Sequence, residues 1–127
     1  MRYGRNKFGN KKCSFQGIEF DSKKERDYYI LLLSRMQRGE ITDLRLQVPF
    51  ELLPAIYEDV VVHLKTKDKI VRKLVQRKVE YIADFVYNEN GVQKVVNTKG
   101  GSATKTKEYL LKKKMMRSLL GIEIIEK

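Results

Sequence analysis

A chain of 127 residues is long enough for one domain with its own core, with no need of disulfides or a structural metal. Its 27 Lys and Arg against 16 Asp and Glu leave a formal charge of +11, spread along the whole chain. This favours a polyanion such as nucleic acid over a membrane surface or mere cationic solubility. A single cysteine, Cys13, excludes an internal disulfide, and a single histidine, His63, excludes a Cys/His zinc cluster; with no apolar leader or anchor, a reducing cytoplasmic setting is expected.

Residues 1–12 form a polar, basic arm ahead of a single domain over 13–127. Arg5, Lys7, Lys11 and Lys12 suit a phosphate backbone, with Tyr3 and Phe8 as thin candidates for base stacking. Over 22–37, Tyr28, Tyr29, Leu32, Leu33 and Met36 recur at spacings of three and four, which predicts an amphipathic helix closed by Gly39. The run 44–53 alternates like a strand and ends at Pro54. Signals over 55–77 are weaker: a strand at 60–64, a charged turn at 65–69, then one long strand or two pieces over 70–87, firm only at 79–87. Asn90-Gly91 takes positive backbone angles readily and predicts a tight hairpin, with 92–98 as the returning strand. Gly100-Gly101 breaks the chain. A second helix is expected at 104–119, with Tyr109, Leu110, Met116 and Leu120 among its apolar residues, followed by a Gly121 cap and a closing strand at 122–125. The order of elements is that of an α/β fold, a sheet flanked by helices.

Strand parity places the chemistry. With Asn90 and Gly91 as the turn, Glu89 faces Val92 and Asp84 faces Asn97; with a four-residue loop, Asp84 faces Val95 and lies diagonal to Asn97. In either register Asp84, Asn97 and Lys99 share one face, since side chains repeat every second residue. Mg²⁺ takes hard oxygen ligands from one or two carboxylates and activates a water, and a nearby ammonium stabilises the charge that develops on a phosphate.

Tyr81-Ile-Ala-Asp84-Phe85 followed by Val95-Val-Asn-Thr-Lys99-Gly100 resembles the catalytic hairpin of the PD-(D/E)xK nuclease superfamily. Phe20-Asp-Ser-Lys-Lys-Glu25-Arg-Asp-Tyr-Tyr29 and Leu46-Gln47-Val-Pro-Phe50 resemble its N-terminal helix and first strand. Together they are similar to small phage and prophage proteins related to Holliday junction resolvases, and the match covers about 12–126. The resemblance implies a restriction-endonuclease-like fold, a central mixed sheet flanked by helices, and a Mg²⁺- or Mn²⁺-dependent endonuclease acting on branched DNA as a homodimer in a phage-bearing host. It makes Asp84 the main metal ligand, Lys99 the catalytic lysine, Glu25 a further acid and Gln47 an accessory residue. The pattern wants Asp or Glu at position 97, and this chain has Asn97. Two explanations fit: a natural variant that is inactive or uses another acid, or an Asp→Asn change made to trap substrate, the second marginally preferred.

Each assignment has a plainer rival. Ser22-x-x-Glu25 is also a capping box, although Glu25 stands on the stripe of Tyr28, Tyr29 and Leu32. Asp84 and Lys99 could be a simple ion pair. Asp27 reads as a solvated charge and His63 as a strand or surface residue. Lys105, Lys107, Lys112, Lys113 and Lys114 form either a solvated helix face or a DNA contact.

Overall fold

The computed structural model describes residues 12–98 and 106–127. In chain order its elements are β1 (Cys13–Phe15), β2 (Ile18–Phe20), α1 (Lys23–Gln37), β3 (Thr42–Leu53), β4 (Ile56–His63), β5 (Asp68–Gln76), β6 (Val79–Glu89), β7 (Val92–Asn97), α2 (Lys107–Leu120) and β8 (Ile124–Glu126). The mixed α/β domain expected from the sequence is present. A four-stranded sheet runs β3-β6-β7-β8, antiparallel except for the parallel β7–β8 pair.

Local chemistry explains the ends of the elements. Ser22 holds an extended conformation and its hydroxyl accepts the Glu25 N–H at 3.2 Å, which starts α1. Thr106 does the same for the Tyr109 N–H at the start of α2. Gly121, at φ +67°, ends α2: its N–H and that of Ile122 fold back onto the carbonyls of Arg117 and Met116. Asn90 and Gly91 both have positive φ, and Glu89 pairs with Val92, so the two-residue turn is the one adopted.

The helices cover opposite faces. Tyr29 and Leu32 of α1 pack with Phe20, Ile41, Phe85, Tyr87 and Val96, whereas Met116 of α2 packs with Leu52, Tyr81, Ala83, Val86, Val95 and Ile124. Consecutive residues such as Phe85 and Val86, or Val95 and Val96, divide between the two clusters, as period-2 alternation requires.

That alternation changes phase within the sheet. In β3, Leu44 and Leu46 pack on the α1 side, yet Val48, Phe50 and Leu52, two residues apart in the same series, pack on the α2 side. In β6, Tyr81 and Ala83 are on the α2 side and Phe85 and Tyr87 on the α1 side. The reversal falls at Gln47 and Asp84, flanked by the paired residues Leu46–Phe85 and Val48–Ala83. Gln47 has φ +51°, so its left-handed backbone turns the following side chains over without changing the register.

Residues 70–87 form two strands rather than one, interrupted at Arg77-Lys78. The hairpin β1–β2, which the sequence reading passed over, turns through Gln16 and Gly17, both with positive φ. Beyond Pro54, β4 and β5 leave the sheet as a separate antiparallel ribbon.

Candidate active site

Burial singles out a small group of polar residues. Glu25 and Asp84 are each 3% exposed, and Asn97 and Thr98 are equally enclosed. An isolated buried carboxylate is costly, so each needs donors. Gln47 supplies one to both: its side-chain N–H groups donate to Glu25 Oε1 at 3.3 Å and to Asp84 Oδ1 at 3.4 Å. The two carboxylates are thus no more than two hydrogen-bond lengths apart. The other Asp84 oxygen, Oδ2, accepts the backbone N–H and the hydroxyl of Thr98, each at 2.9 Å.

Each partner arrives by its own route. Glu25 serves the helix cap with its backbone N–H while its carboxylate is buried beside Tyr29 and Leu32, so the cap and the site use the same residue. Gln47 and Asp84 stand side by side where β3 and β6 reverse phase. Asn97 is one step beyond the Phe85–Val96 pair, the position opposite Asp84 in the two-residue-turn register, one of the two that hairpin parity left open. The fold links Glu25, Gln47 and Asp84 by hydrogen bonds and sets Asn97 in one cleft with Asp84; Lys99 lies outside the described residues.

On the α2 side the site opens into a cleft of about 480 Å³, whose lining includes Tyr81, Asp84, Asn97, Tyr109 and Lys112. Tyr109 interacts with Asn97 through its hydroxyl and donates to Glu126 at 2.8 Å. Burial, with Glu126 and Asp84 adding negative charge, pushes the Tyr109 hydroxyl up to about 12 despite the opposing Asn97 hydrogen bond. Burial raises Tyr81 further, helped by Tyr109 and Asp84, and its buried hydroxyl has no hydrogen-bond partner among the described residues. Neither tyrosine was singled out as a site residue from the sequence, where they read as ordinary strand and helix apolar positions.

The described part of the chain belongs largely to one family. The chain is a member of the family described as "Protein of unknown function (DUF1064)", whose model matches residues 5–120. No curated protein and no solved structure matches this DUF1064 chain. Family membership therefore carries no activity with it, and any functional argument rests on the residues themselves.

As ligands, Glu25 and Asp84 offer carboxylate oxygens and Asn97 an amide oxygen, a donor set suited to a hard divalent ion. Among the described residues no three His, Cys, Asp or Glu side chains converge as a metal cluster. Of the candidate phosphate contacts, Arg5, Lys7, Lys11 and Lys105 lie outside the described residues. Lys12 is exposed and pairs with Glu19 at 3.6 Å, and Lys107 is exposed at the start of α2. Lys113 is held by Glu126 at 2.9 Å and Lys112 by Glu108 at 2.9 Å, so both serve the fold as well as any ligand. Asp27 pairs with Arg26 at the surface and lines a shallow pocket with Thr98, and His63 pairs with Asp68 at 2.8 Å on the exposed β4–β5 ribbon. No helix is long and apolar enough to cross a membrane among the described residues.

Proposed function

We propose that this DUF1064 chain is a divalent-metal-dependent DNA endonuclease of restriction-endonuclease-like fold, acting on branched or recombination DNA. The observation that carries the proposal is the pair of buried carboxylates, Glu25 and Asp84, drawn together by one amide in a chain of charge +11. Two carboxylates buried side by side repel each other, and an opposite charge held between them relieves that repulsion. A cation supplies that charge, and a basic surface brings the polyanion whose phosphate the same cation would polarise.

In this proposal Asp84 and Glu25 hold Mg²⁺ or Mn²⁺, with the Asn97 amide oxygen as a weaker third ligand. The bound ion would activate water and offset negative charge on the phosphate. Gln47 orients both carboxylates, and Thr98 fixes the second oxygen of Asp84 so that Oδ1 stays turned towards the Gln47 amide. Lys99, placed by the motif on the same strand face, would hold the attacking water. The branched substrate and a two-fold dimer cutting paired strands come from the resemblance to junction resolvases.

A second reading has its own support: an amide at position 97 and the lack of a third acid among the described residues favour a DNA-binding protein that keeps the fold without the chemistry. One comparison separates them. The chain and its Asn97→Asp variant are incubated with branched and linear DNA in Mg²⁺, Mn²⁺ or chelator. Metal-dependent cleavage by the variant, stronger than by the parent and abolished by Asp84→Ala, supports the nuclease; tight, salt-sensitive binding with no cleavage by either supports the binding protein.

A further inference from the structure

The cleft on the α2 side of Asp84 contains more than the proposed metal site uses. β7 pairs with β6 only from Phe85 to Glu89, so among the described residues no strand lies along that edge of β6 at 80–83. The cleft lies between these residues, Asn97 and the start of α2, and at about 480 Å³ it has the size that takes a small organic ligand. Two aromatic rings line it: Tyr81 and Tyr109 have centroids 6.3 Å apart and planes inclined at 50°. Ile82, which is 50% exposed, adds apolar surface.

One group in this cleft has no use in the fold. Tyr81 is 6% exposed, and its buried hydroxyl makes no hydrogen bond among the described residues. Buried hydroxyls are nearly always paired, so a bare one beside a cavity points to a partner that enters from outside. The neighbouring Tyr109 hydroxyl is already engaged with Asn97 and Glu126. Burial, with Tyr109 and Asp84 adding to it, keeps the Tyr81 hydroxyl protonated at neutral pH, so it offers a donor and needs an acceptor.

The charges around the cleft narrow the choice of acceptor. Glu80 is paired with Lys78 at 3.4 Å and Lys112 with Glu108 at 2.9 Å. That leaves Asp84, so a bare anion meets net negative charge, whereas a neutral ring bearing acceptor atoms meets two aromatic rings and a waiting donor. We propose that the cleft receives an unpaired nucleobase, with the Tyr81 hydroxyl donating to a ring nitrogen or carbonyl and Tyr109 offering a stacking face. The chain's charge of +11 makes nucleic acid the source of that ring. The pocket deepens the reading of this chain as acting on branched DNA: a base that is already unpaired leaves the stack at little cost, and once seated it brings its sugar-phosphate to the neighbourhood of Asp84. It rests on DNA as the ligand and not on hydrolysis.

Binding in chelator tests it on the full chain, with duplexes that carry a one-nucleotide bulge of 2-aminopurine, an abasic bulge, or 2-aminopurine in a paired position. The 2-aminopurine bulge is expected to bind about ten-fold more tightly than the abasic bulge, the scale of one stacked base, with its fluorescence quenched on binding. Tyr81→Phe removes a hydroxyl that bonds nothing among the described residues, so it should unfold in urea no earlier than the parent and yet lose most of that preference. Tyr109→Leu should lose it too, while both variants bind paired duplex as the parent does. Equal affinity for the two bulges, or a preference that survives both variants, overturns the proposal. So does a Tyr81→Phe chain less stable than the parent, since the hydroxyl would then serve the fold. Cleavage takes no part in the readout: a chain that prefers the bulged base and never cuts DNA sinks only the nuclease, and one that cuts without regard to the base sinks only the pocket.

Discussion

The sharpest test of the site places a third acid in it. In Asn97→Asp a carboxylate would stand opposite Asp84, where facing residues of an antiparallel pair are about 5 Å apart at Cα. Two unit charges at about 5 Å with an effective dielectric near 20 repel by about 3 kcal/mol. Without metal the variant should therefore lose about 2–3 kcal/mol of stability at neutral pH, measured by urea unfolding in chelator. A divalent ion reverses the sign, because the added charge becomes a ligand. At one hundred times its Kd a ligand specific to the folded state returns about 2.7 kcal/mol, so Mg²⁺ should stabilise the variant well beyond its effect on the parent. A variant as stable as the parent in chelator and equally indifferent to Mg²⁺ would refute the reasoning, for it would mean that positions 84 and 97 do not share a pocket.

Other expectations follow from individual contacts. Thr98→Val removes the hydroxyl donor to Asp84 Oδ2 but keeps the shape, and should cost about 1.5–3 kcal/mol in urea unfolding, the range for a hydrogen bond to a charged group. Tyr109 has its folded pKa raised above the ordinary 10, so its contribution to stability is complete below pH 10 and is lost as pH rises towards 12; ultraviolet titration should show it ionising late, and Tyr109→Phe should flatten this alkaline loss. Leu32→Ala, at a fully buried position on α1, should cost about 2–5 kcal/mol by calorimetry. Gly121→Ala forces a side chain into left-handed backbone and should cost about 1 kcal/mol in urea unfolding.

Much of the site was legible before any coordinates. The helix stripe that set Glu25 beside Tyr29 and Leu32 is a local, 3.6-residue pattern, and all three are buried. The Asn90-Gly91 turn left two registers open, but two-residue periodicity put Asp84 and Asn97 on one face in both, and the structure adopts the two-residue turn. Turn chemistry and caps depend on neighbours a few residues away, which is why they can be read from the chain alone.

What the chain alone did not disclose depends on contacts between distant segments. Uninterrupted parity would leave Leu46 and Val48 on one face, whereas the left-handed backbone at Gln47 sends them to opposite helices and aims its amide at two acids from elsewhere. Nor could parity say that β8 would lie parallel to β7, or that β4 and β5 would pair only with each other. Composition determined a basic single-domain chain and local pattern determined its elements. The meeting of Glu25, Gln47 and Asp84 was decided by the tertiary structure, because a positive φ within a strand is stable only when packing on both faces holds it there.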